Sequence, residues 1–130
     1  MQGLHLTADL RGCAVGRPEM TDTASLRRAC LAAVEAAGLT PVGELFHRFV
    51  PAPAAIERHA AAPSGITGVV LLAESHLAVH TWPELEAATL DVYVCNLGAD
   101  NSARAERLMD SLVAAFAPGR VERHAHRRGE

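Results

Sequence analysis

Between Gly65 and Cys95 three strand-like stretches follow one another with little chain between them. Val69-Val70-Leu71-Leu72-Ala73 is short, unbroken and rich in branched side chains, so it reads as a buried strand. It ends abruptly at Glu74-Ser75-His76. Leu77, Val79 and Thr81 then alternate with His76, Ala78 and His80 as far as Trp82-Pro83, and Ala88 to Val94 alternates again and delivers Cys95. A glutamate, a serine, two histidines and a cysteine therefore sit at the rims of core strands. Rigid scaffolds often carry their functional residues there.

The flanks supply the rest of a domain. Leu4 to Leu10 alternates as a half-buried strand does, and Gly12, Gly16 and Pro18 break it. Thr21 or Thr23 offers the cap of a helix with the apolar stripe Leu26, Cys30, Ala33, Val34 and Ala37, stopped by Gly38. Val42 to Val50 reads as a strand with Leu45, His47 and Phe49 on one side and Phe46 on the other. The alanine- and proline-rich stretch 51–64 is expected to be a surface excursion with a short helical turn. Asp100, Asn101 or Ser102 can cap a second helix, striped by Ala105, Leu108, Met109, Leu112, Val113 and Phe116 and ended by Pro118-Gly119. Arg120 to His124 forms a last edge strand, and the basic run His124 to Arg128 is expected to be a solvated tail. These elements predict an α+β, two-layer sandwich: a mostly antiparallel sheet with two helices packed on one face.

A chain of 130 residues, 49% hydrophobic and 21% charged, supports one such core, so residues 1–130 are taken as a single domain. Its formal net charge of −3 leaves no basic footprint for nucleic acid. No apolar leader and no run of membrane-spanning length is present. Cys13, Cys30 and Cys95 are widely spaced without a CxxC pair, which fits a reduced, cytoplasmic setting. Cys30, on its helical stripe, reads as a small core residue.

Taken alone, Glu74-Ser75 is an ordinary turn, Cys95 a structural thiol, Trp82 and Phe49 core, and Glu84 a solvated turn residue. His76 and His80 share a strand face, but no third metal ligand accompanies them, and no metal is expected. Pattern changes this reading. Thr67-Gly68-Val69-Val70, Glu74-Ser75-His76-Leu77, His80-Thr81-Trp82-Pro83-Glu84 and Asp91 to Cys95 together resemble the S-adenosylmethionine decarboxylase proenzyme family of the small prokaryotic, pyruvoyl-dependent type. The Ser75–His80 and Ser75–Cys95 spacings agree. The similarity continues more weakly at His5-Leu6-Thr7-Ala8 and Phe46-His47-Arg48-Phe49.

The resemblance implies a self-processing decarboxylase. The Ser75 hydroxyl would attack the carbonyl of Glu74, and elimination would split the chain between 74 and 75 and leave a pyruvoyl group at position 75. That group is the cofactor, the carbonyl that captures a substrate amine and acts as electron sink. His80 would be the base for the elimination, Thr67 would polarise the ester that precedes it, and Cys95 would be the acid that reprotonates the substrate carbon. Trp82 and Phe49 would hold the adenine and sulfonium of S-adenosylmethionine, and Glu84 the ribose hydroxyls.

Geometry bears on assembly. Thr67 lies about 26 Å from Ser75 along a straight strand, and His80 has the opposite parity to Ser75. Both are relieved if Thr67 and His80 come from a second protomer, which matches the homodimer with shared active sites that the resemblance implies. Two departures lie near the substrate: Leu85 to Thr89 stands where relatives carry tyrosines and glycine, and Asn96 follows Cys95 where glycine is common. Glu86 adds a carboxylate there. The rivals are therefore the same chemistry on arginine or ornithine, or an unprocessed regulatory homologue. Retention of Ser75, His80 and Cys95 together argues against the second.

Overall fold

The computed structural model describes residues 2–49 and 64–129, so the excursion expected at 51–64 falls, but for Ser64, outside the described residues. The chain runs β1 (Gln2–Arg11), a short α1 (Pro18–Thr21), α2 (Thr23–Ala36), β2 (Pro41–Arg48), β3 (Ile66–Leu72) and β4 (Ser75–Trp82). A 3₁₀ turn (Pro83–Leu85), β5 (Ala87–Cys95), α3 (Ser102–Phe116) and β6 (Arg120–Gly129) complete it. Among the described residues the six strands form one sheet in the order β2-β3-β4-β5-β1-β6, with every pairing antiparallel. The two crossovers in that order, β1 to β2 and β5 to β6, carry α2 and α3. Both helices pack on the same sheet face and on each other. This is the expected α+β sandwich.

Period explains the core. Leu6, Ala8 and Leu10 of β1, Leu77 and Val79 of β4, and Leu90, Val92 and Val94 of β5 all point under the helices. They meet Leu26, Cys30 and Val34 of α2 and Leu108, Met109, Leu112 and Phe116 of α3. Thr81 is buried among them. Its hydroxyl accepts from the Ile66 N–H and donates to the Met20 carbonyl, both at 2.9 Å, and so joins β3, β4 and α1. Thr81→Val should leave both main-chain groups unsatisfied, at about 1–3 kcal/mol each. A urea midpoint unchanged from wild type would show that these bonds contribute nothing.

Three expectations change. The cap of α2 is Asp22 rather than Thr21 or Thr23, because its carboxylate accepts from the Ser25 N–H at 3.1 Å. The run Val69 to Ala73 is not buried on both sides: β3 alternates, Leu71 is 49% exposed, and Ala73 belongs to the turn. Helices cover only one sheet face, so Val69 and Leu71 lie on the other with Leu45. The basic segment expected as a tail is instead the second half of β6, paired with β1 as far as Gly129. A main-chain ladder needs no apolar side chains, and Arg123 anchors the strand to Glu106 and Asp110 of α3. A charged strand also guards the sheet edge.

Candidate active site

The hairpin of β3 and β4 sets out the site residues. Its register places Thr67 opposite His80, and Thr67 Oγ1 lies 3.0 Å from His80 Nδ1. Two residues on, the Trp82 ring stacks on His80, with centroids 5.7 Å apart. Phe49 is brought alongside by its N–H, which donates to the Gly65 carbonyl at 2.9 Å. Glu84 stands on the 3₁₀ turn that follows Trp82. Phe49, Thr67, His80, Trp82 and Glu84 thus line one cavity of about 350 Å³. Its aromatic walls are open, Trp82 being 36% and Phe49 51% exposed, so flat faces and a carboxylate remain available to a ligand.

The other candidates gather at the opposite end of β4. Ala73-Glu74 forms a two-residue turn in which Glu74 adopts φ 54°. That left-handed conformation costs a residue with a Cβ about 1–2 kcal/mol. Ser75 follows, 9% exposed, and its Oγ accepts from the Cys95 N–H at 3.1 Å. Cys95 is equally buried, with its Sγ 3.5 Å from the Leu97 N–H. The other thiols sit in the core: burial pushes Cys30 up to about 12, and burial likewise raises Cys13.

These two groups do not meet within one chain. Ser75 and His80 are on one strand, roughly 16 Å apart at ~3.3 Å per residue. Ser75 faces the helices, and His80 faces the uncovered side. Thr67 does fold back, as a hairpin rather than a straight strand, but the register carries it to His80 and away from Ser75.

The uncovered face holds further polar residues that the sequence reading did not assign. His5 Nε2 lies 3.1 Å from Asp91 Oδ1, and His76 stacks on Tyr93. At the Cys95 end, Asn96, Asn101 and Ser102 form a side-chain bracket. The only signal for it in the sequence was a cluster of capping residues before α3. Among the described residues, no three His, Cys, Asp or Glu side chains gather as a metal site. Nor is any helix among them long and apolar enough to cross a membrane.

The sequence model of the S-adenosylmethionine decarboxylase family matches residues 4–129. The chain belongs to that family. It is 37% identical over 127 residues to the S-adenosylmethionine decarboxylase proenzyme of Aquifex aeolicus, covering 98% of this chain and 81% of that protein. The proenzyme of Thermococcus onnurineus is 32% identical over 116 residues, covering 88% and 72%. The crystal structure of the Aquifex aeolicus adenosylmethionine decarboxylase superposes with a TM-score of 0.80 at 35% identity, over 98% of this chain and 91% of that one. A Trypanosoma brucei AdoMetDC monomer gives 0.56 at 13% identity, covering 92% of this chain and 44% of that one, a likeness of fold alone. The S-adenosylmethionine decarboxylase match thus spans both clusters, from Phe49 to Cys95.

Proposed function

We propose that the chain is a self-processing, pyruvoyl-dependent S-adenosylmethionine decarboxylase, cleaved between Glu74 and Ser75. It would yield decarboxylated S-adenosylmethionine, the aminopropyl donor for spermidine synthesis. The observation that carries this reading is the Glu74–Ser75–Cys95 arrangement in a member of this family. A buried serine hydroxyl, held by a main-chain N–H, sits directly after a residue in a strained left-handed conformation. These residues fit a group made from Ser75. When present, the pyruvoyl group supplies an electrophilic carbonyl for the substrate amine and a sink for the electrons of the departing carboxylate.

The chain's own residues do the rest. Trp82 and Phe49 offer faces to the adenine and to the sulfonium cation, and Glu84 accepts hydrogen bonds from the ribose hydroxyls. Cys95 holds the proton for the carbon from which carbon dioxide leaves. His80, oriented by Thr67 through the 3.0 Å contact, takes the α-proton of residue 75 during processing, with Thr67 Oγ1 beside the ester.

His80 cannot reach Ser75 in its own chain, so these roles require a homodimer in which each Ser75 receives His80 and Thr67 from the partner. Leu45, Val69 and Leu71 provide apolar surface on the uncovered sheet face. All three cysteines are free, which accords with a reduced, cytoplasmic setting. The cavity's lining includes Glu84 and not Glu86, which favours an adenosyl substrate over arginine or ornithine.

Intact mass under denaturing conditions should give two chains from the wild type, the smaller one blocked to Edman sequencing. A single full-length chain after long incubation would sink the cofactor assignment. Processed protein offered S-adenosylmethionine, arginine and ornithine at equal concentration should prefer the first by kcat/KM. A preference for either amino acid would overturn the substrate. Base–aromatic stacking is worth about 1–3 kcal/mol, or roughly 5- to 150-fold, so Trp82→Ala should raise KM by a factor in that range and leave self-cleavage largely unchanged.

A further inference from the structure

The main chain of Cys95 is held from both sides. Its N–H donates to Ser75 Oγ, and its carbonyl accepts from Asn101 Nδ2 at 2.8 Å. Asn101 is itself fixed. Its N–H donates to Asn96 Oδ1 at 2.8 Å, and its Oδ1 accepts from Arg104 at 2.8 Å. Asn96 is tied in turn to Ser102 Oγ by its side chain and to the Gln2 carbonyl by its N–H. The ladder between β4 and β5 runs from Trp82↔Ala87 to His76↔Tyr93. One step past it, Ser75 meets β5 through its hydroxyl. Beyond the β1 ladder, in which Cys95 pairs with Gly3, the Asn101 bracket holds the Cys95 peptide from the far side.

We propose that Asn101 is a positioning residue for self-cleavage: by holding the Cys95 carbonyl it keeps the Cys95 N–H on Ser75 Oγ, where an electron pair arrives during elimination. The inference rests on cleavage at Glu74–Ser75.

The chemistry runs in two steps. Ser75 Oγ adds to the Glu74 carbonyl carbon, the C–N bond to Ser75 breaks, and the hydroxyl proton ends on the freed amine, giving an ester. A base then removes the α-proton of residue 75 and the Cβ–Oγ bond breaks. Oγ leaves with that bond's electron pair as part of the Glu74 carboxylate. The dehydroalanine left behind tautomerises and is hydrolysed by water, releasing ammonia. An N–H on Oγ draws electron density from the attacking hydroxyl, so it does not help the first step. It stabilises the charge that develops on the same oxygen in the second. Loosening it should slow elimination and let the ester accumulate. A merely structural defect would slow both steps and accumulate nothing.

The test follows Asn101→Ala and Asn101→Asp during self-cleavage, trapping ester with neutral hydroxylamine and reading masses. Aspartate keeps the oxygen that faces Arg104 but lacks the donor to Cys95. Losing a donor at a developing oxyanion costs about 10²–10³ in rate, and loosening one through its neighbour should cost less, roughly tenfold. Both variants should slow to that extent and build up chains that hydroxylamine cuts after Glu74. Should Asn101→Ala fail to fold, Asn101→Asp carries the test alone. Wild-type cleavage by Asn101→Asp, or slow cleavage without trapped ester, overturns the inference and leaves the proposed function standing. A wild-type chain that never cleaves overturns both.

Discussion

Coexpressed Ser75→Ala and His80→Ala chains should cleave after Glu74, although neither variant does so alone. In the proposed chemistry the first lacks the hydroxyl that attacks, and the second lacks the base that completes the elimination. In one chain those groups lie on opposite faces of β4, roughly 16 Å apart at ~3.3 Å per residue, so no side-chain rotation brings them together. In a two-fold dimer with shared sites, each Ser75 would receive His80 and Thr67 from its partner. A mixed dimer then contains one complete site, made of Ser75 from the His80→Ala chain and His80 from the Ser75→Ala chain. With equal pools pairing at random, about half of the Ser75-bearing chains enter mixed dimers and become cleavable. Different affinity tags verify the pairing, and mass identifies the cut chain. Verified mixed dimers that stay uncut would end the shared-site proposal.

How far the sequence reaches can be followed along β4. The alternation of Leu77, Val79 and Thr81 with His76, Ala78 and His80 predicted which residues point inward, and each does. Parity alone separated Ser75 from His80. The partner of Thr67 was not legible, because sequence gives only the distance along a straight strand and the hairpin register decides what lies across. The stripes of α2 and α3 were readable by period. The Asp22 cap was not, since three neighbouring polar residues offered equivalent oxygens and only the backbone path chose among them. The full length of β6 was hidden for a different reason. Its pairing is main-chain hydrogen bonding to β1, and its charged side chains carry no periodic apolar signal. The bracket of Asn96 and Asn101 is likewise made of side-chain-to-backbone bonds, which leave no period to detect. Asn96 holds that loop through Asn101 and Ser102.

Cys95→Ala should cut kcat for S-adenosylmethionine by about 10²–10⁴, the usual worth of a general acid or base, while KM moves little. The separation follows from where the groups stand. The cavity of Trp82, Phe49 and Glu84, proposed to grip the adenosyl moiety, does not include Cys95, so ground-state binding should survive its loss. Neither remaining thiol can substitute. Cys30 lies under α2 with its thiol pushed up to about 12, and Cys13 is buried and raised as well. Cys95→Ser should recover little, because an alkyl hydroxyl gives up its proton far less readily than a thiol. Self-cleavage, by contrast, should persist in Cys95→Ala. Alanine retains the main-chain N–H that reaches Ser75 Oγ, and the Asn101 bond to the neighbouring carbonyl is untouched. One residue would thus serve two reactions with different parts, its backbone in making the cofactor and its side chain in turnover. Single-turnover and steady-state rates of fully processed Cys95→Ala distinguish the two. A wild-type kcat would remove Cys95 from the role of acid, and an uncleaved but folded Cys95→Ala would place its thiol in processing instead.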